Sequence, residues 1–121
     1  MTLNHLNLEK VMDCYGGSAT VLKKTIGRIY ESMPNDWALF LQLCDQAEYQ
    51  QASIVAHRMA GTVSMVGADE FSKFLREVSR SAKTKEHIPS PILAQGLKYY
   101  EELMGEMGQF VTQFPSPADK K

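Results

Sequence analysis

The chain has 121 residues, 44% of them hydrophobic and 22% charged, with 13 Lys and Arg against 14 Asp and Glu. That length fits one domain able to bury about two-thirds of its unfolded surface, and the composition is that of an ordinary soluble globular protein, not a disordered one. The balanced charge provides no basic field for nucleic acid or an acidic membrane, and nowhere do 18 apolar residues run together, so neither a nucleic-acid partner nor a membrane span is expected.

The opening segment "MTLNHLNLEK" has no apolar leader region, and the expected location is the cytoplasm. Residues 6–14 carry a short amphipathic pattern that "YGGS" interrupts, with Gly16 and Gly17 as the stop and Ser18 as the N-cap of the next element. That element places apolar residues at Leu22, Ile26, Ile29, Tyr30, Met33, Trp37, Phe40, Leu41 and Cys44. The helical phase holds across Pro34, which predicts one long bent helix, not two unrelated ones.

A third helix is predicted from about Glu48 to Val66, ending at Gly67, and a fourth at about 69–82 with Phe71, Phe74, Leu75 and Val78 inward. After the loop "KTKEHIPSP", Ser90 and Pro91 start a last helix through about Phe114. Ile92, Leu93, Leu97, Tyr100, Leu103, Met104, Met107 and Phe110 or Val111 form its inner side, while Gly96, Gly105 and Gly108 weaken it locally. The expectation is an all-α fold, an antiparallel up-and-down four-helix bundle with a short additional N-terminal helix. A single domain spans 1–114, and 115–121 form a short flexible tail.

Cys14 and Cys44, the only cysteines, sit in no C-x-x-C pair and read as buried or half-buried thiols in a reducing compartment. The histidines His5, His57 and His87 are scattered without zinc-site spacing, so no bound metal or other cofactor is expected.

His57 draws attention by its orientation. On a wheel of about 100° per residue with His57 at zero, Ala52, Val55, Met59, Val63 and Val66 cluster between about 160° and 240°, the core arc. The imidazole points the other way, toward solvent. Its neighbours on the outer face are Gln50, Ser53, Ile54, Ala60, Gly61, Ser64 and Met65, where a solvated helix face would carry Lys and Glu. Gly61 inside a helix costs about 1 kcal/mol relative to Ala, which suggests that another surface approaches closely there. Ile54 and Met65 add apolar area that suits a docking patch. An imidazole in water keeps a neutral, nucleophilic nitrogen in part of its population at neutral pH. With no triad partner in view, the chemistry left to it is covalent: accepting a group, of which phosphoryl is the natural one, and passing it on.

The string Ala56-His57-Arg58-Met59-Ala60-Gly61, followed by Gly67-Ala68, resembles the signature of histidine-containing phosphotransfer (HPt) domains, which usually read Ala-His-x-Leu-Lys-Gly with a later Gly-Ala. Ala56, His57, Gly61, Gly67 and Ala68 match by identity, Met59 stands for leucine, and the order of helices is similar along the whole chain. The resemblance implies that His57 is phosphorylated and that the bundle relays phosphoryl groups between aspartates of response-regulator receiver domains, fed by a hybrid sensor histidine kinase. It implies a phosphocarrier with no kinase or hydrolase activity of its own; the outer-face residues Gln50, Ser53, Ile54, Ala60, Gly61, Ser64 and Met65, with Arg58, are then the expected docking face, and a small bundle with one such face is expected to be a monomer. Mg²⁺ would reside on the receiver. The family's lysine three residues after the histidine is Ala60 here, and Arg58, Lys23, Lys24 and Arg28 are the candidate replacement cations. The alternative is a non-catalytic module of the same fold that docks a receiver or another helix.

Overall fold

The computed structural model describes residues 5–84 and 87–113, and among them every regular element is helical. The elements are α1 (Leu8–Met12), a 3₁₀ turn (Asp13–Tyr15), α2 (Ala19–Asp45), α3 (Tyr49–Ser64), α4 (Asp69–Lys83) and α5 (Ser90–Gln113). The predicted end of the last helix at Phe114, the tail 115–121 and the Cys14 side chain lie outside the described residues.

Local chemistry sets the helix starts. Asn7 Oδ1 accepts from Lys10 N at the head of α1, and Ser18 Oγ accepts from Val21 N at the head of α2, each satisfying an N–H that the first turn leaves free. α2 runs unbroken through Pro34. The proline removes one hydrogen bond, but Leu22, Ile26, Ile29, Met33, Trp37, Phe40 and Leu43 are all buried on a single stripe, and that packing holds both halves in phase. Leu41, expected inward, is exposed and Leu43 takes its place, because the buried stripe steps 37, 40, 43.

α3 packs most extensively on α4 and next on α2, while α5 packs on α2 and α4, so each of these four helices packs chiefly on two others round one core. Trp37 stacks on Tyr100 of α5 with ring centroids 5.1 Å apart and 9° between planes, and meets Phe71 of α4 edge-on. The buried side of α5 passes through Gly96, where an added Cβ would lie 2.9 Å from Phe74 Cε1 and 3.0 Å from Trp37 Cη2. The glycine that the sequence marks as a weak point is therefore where helices approach. Leu97, next to it, is turned outward, and Ile92 in the first turn is also exposed, both against expectation.

The first described residues are tied to the far end of the core. The backbone N–H groups of His5 and Leu6 donate to one oxygen of the buried Glu106 at 2.8 and 3.0 Å. Asn7 N donates to Val66 O at 3.0 Å, bringing the chain across the end of α3. Gly67 there has φ +77°.

Cys44 is half-buried, and desolvation raises its thiol to about 11 from an ordinary 9.0. At pH 8 that leaves about a hundredfold less thiolate, the reactive form, than an unperturbed cysteine has. In a Cys14→Ser background, iodoacetamide is expected to alkylate Cys44 slower by about that factor until urea unfolds the chain, followed by mass spectrometry. Among the described residues no helix is long and apolar enough to cross a membrane.

Candidate functional site

His57 lies in the middle of α3 and is exposed. Among the described residues its ring has no hydrogen-bond or ion-pair partner, so no intramolecular contact holds the imidazole or blocks its nitrogens. Gln50, Ile54, Arg58, Gly61 and Met65 are exposed with it, Ile54 at 66% and Met65 at 49%, and Ser64 is half-buried with its hydroxyl donating to Gly61 O.

Ser53 and Ala60 are not part of that surface. Both are buried, and the outer-face expectation is corrected for each. The Ser53 hydroxyl donates to Ser79 O at 2.7 Å, the Ser79 hydroxyl donates to Ser53 O at 2.8 Å, and Ser72 donates to Ala60 O at 2.9 Å. Thus α3 and α4 run in opposite directions in close contact, with small side chains where they meet. The core arc of α3 extends from about 160° to about 320°, because the helix is covered by two neighbours and not one.

Of the small residues near His57, only Gly61 lacks a packing reason. Its backbone is helical, and a Cβ built on it would have nothing within 4 Å. Gly61→Ala is expected to raise stability by about 0.5–1 kcal/mol in urea unfolding, the usual difference between these residues inside a helix. Unchanged or lower stability would show an internal contact at this position. Gly61→Gln, which places bulk beside the imidazole, is expected to fold normally.

The candidate cations separate clearly. Arg58 Nη2 lies 3.1 Å from Asp36 Oδ1 on α2, on the flank of α3 away from α4. Arg28 starts eight residues, about 12 Å, before Asp36 on α2, and Lys23 and Lys24 further still. A cation that sequence reasoning passed over shares an opening with His57: an open groove of about 480 Å³ between α3 and α4 is lined by Gln50, Ser53, Ile54, His57, Ser79 and Lys83. The signal lay in α4, where Ser72, Ser79 and Ala82 share the inner side with Phe71, Leu75 and Val78. Small polar residues on a core face mark a close helix contact, which would have placed Lys83 at its edge. Among the described residues no group of three or more His, Cys, Asp or Glu is arranged to hold a metal.

Comparison of the chain with protein-family models, with curated proteins and with solved structures finds no match.

Proposed function

We propose that the protein is a phosphoryl carrier of the histidine-containing phosphotransfer class. The observation that carries this reading is the exposed imidazole of His57, without a partner among the described residues, beside Gly61, whose missing side chain no contact among those residues requires. The signature-like residues Ala56, His57, Gly61, Gly67 and Ala68 add to it. The contacts among α2, α3, α4 and α5 fit an antiparallel up-and-down four-helix bundle with α1 as the additional N-terminal helix. In this reading the protein is a cytoplasmic monomer, fed by a hybrid sensor histidine kinase and serving response-regulator receiver domains.

The transfer is a displacement at phosphorus. A neutral imidazole nitrogen of His57 attacks the phosphoryl group of a receiver's aspartyl phosphate, an N–P bond forms as the aspartyl P–O bond breaks, and the carboxylate leaves with the electron pair. The ring becomes a phosphoimidazolium and releases the proton on its other nitrogen to water. The reverse sequence delivers the group to a second aspartate. Mg²⁺ on the receiver neutralises the moving charge, so the carrier needs no metal or nucleotide site. Gln50, Ile54, Arg58, Gly61, Ser64 and Met65 surround the attacking ring as the docking face, with Ile54 and Met65 as its apolar part.

The test is label transfer from a phosphorylated receiver domain of the same organism. Acid-labile phosphate appearing on the carrier supports the proposal. Binding to receivers with no label on the carrier would overturn it in favour of a docking module of the same fold, a reading that the alanine at position 60 favours.

A further inference from the structure

The phosphoryl group that His57 would carry brings about two negative charges to an open helix face. The sequence position where the related family has a lysine is Ala60, and it is buried against α4 with its carbonyl bonded to Ser72. A charge-neutralising group has to come from elsewhere.

The direction of side chains on a helix decides where. Each Cα–Cβ bond tilts toward the helix N-terminus, so a long side chain covers the turn preceding its own Cα. On α3, His57 therefore leans toward the level of Ser53. On α4, which runs the opposite way, Lys83 leans toward the level of Ser79. Ser53 and Ser79 are bonded to each other, so the imidazole and the ammonium are directed along one groove toward the same level from its opposite walls. Arg76 starts nearer to the level of His57 but leans the other way, toward Ser72, and does not line the groove. Lys83 is exposed and has no ion pair among the described residues, whereas Arg58 is engaged with Asp36.

We propose that Lys83, on the helix next to the one carrying the histidine, holds the phosphoryl group on His57 and replaces the lysine missing at position 60. The proposal rests on His57 being the phosphorylated residue. The groove above the Ser53–Ser79 pair is the phosphoryl subsite, with the Gln50 amide at its other end. An ammonium on the nonbridging oxygens withdraws the electron density that would otherwise expel the imidazole, so it slows loss of the group to water.

The experiment loads the full chain with phosphoramidate, a small donor that needs no partner, and follows the N–P bond by ³¹P NMR. His57→Gln identifies the resonance of the His57 adduct. Lys83→Gln is expected to shorten the half-life of that adduct by a factor of about 1.4 to 5, the range for one solvent-exposed charge pair. It should also displace the ³¹P resonance. Lys83→Arg should restore both, and Lys73→Gln, a charge lost elsewhere on α4, should change neither. Wild-type half-life and resonance in Lys83→Gln would overturn the proposal, as would an equal effect from Lys73→Gln. Transfer between the wild-type carrier and a receiver is measured separately. Its absence, with the Lys83 dependence intact, would overturn the relay function and leave the Lys83–phosphoryl contact standing.

Discussion

His57→Gln is expected to abolish acid-labile phosphate on the protein while leaving its stability within about 0.5 kcal/mol of wild type. The two halves of that result have separate causes. The chemical half follows from the nucleophile: an amide nitrogen has no lone pair free to attack phosphorus, and neither His5 nor His87 is placed to substitute. His5 is buried, with Nε2 3.4 Å from Glu102 Oε1 and its ring edge-on to Tyr99. His87 sits beside the Tyr49 hydroxyl at 3.1 Å, outside the groove that His57 lines. The stability half follows from burial: the His57 ring is exposed and has no partner among the described residues, so its removal opens no cavity and orphans no polar group. Label transfer and urea unfolding on the same two proteins read both. Label retained on the variant, at His5 or His87, would remove His57 from its role; a large loss of stability would show that the ring has a contact in the folded chain.

Gly67→Ala is expected to have the largest effect on stability, about 3 kcal/mol of destabilisation measured by urea unfolding. Gly67 has φ +77°, a backbone region in which a Cβ costs about 1–2 kcal/mol. The added Cβ would also lie 2.7 Å from both Asn7 Cβ and Asn7 O, closer than such atoms can stand. Asn7 cannot simply retreat, because its N–H is bonded to Val66 O and the two preceding N–H groups are bonded to Glu106. The double variant Asn7→Gly/Gly67→Ala should recover only part of the loss, since it removes the Cβ contact but keeps the carbonyl contact and the backbone strain. Full recovery would place the whole effect in side-chain crowding; no loss in the single variant would mean that neither the chain crossing nor the left-handed backbone at Gly67 is formed in solution.

How much of this was visible in the sequence depends on what a helical wheel can express. The phase of α2 across Pro34 and the outward direction of His57 were legible, because each depends on one helix and its own period, whereas α3 ends at Ser64, two residues before the expected Val66, with Gly67 closing the turn that follows. The fates of Ser53 and Ala60 were not. A wheel gives the direction of each side chain but not how many neighbours the helix has, and α3 has α4 on the side where these two residues lie. Gly96 was misread for the same reason: its value lies in the rings of Phe74 and Trp37, which come from two other helices. Lys83 entered the site only when the Ser53–Ser79 contact fixed the register of α4 on α3, a fact with no trace in the periodicity of either helix. Glu106 was passed over because a carboxylate within an apolar stripe gives no hint that it will accept backbone N–H groups from the start of the chain.

The separation of the two sides of α3 has a consequence for how such a chain can change over generations. Ala52, Ala56 and Ala60 are sealed in the core, and enlarging any of them disturbs the fold itself. Gln50, Ile54 and Met65 stand outside it, and replacements there are almost invisible to folding, while an alanine at the equally exposed Gly61 only adds stability. Drift on the outer side is therefore constrained only by whatever the surface meets. A duplicated copy of this gene could acquire a new binding preference through a few outer substitutions without first passing through an unstable ancestor.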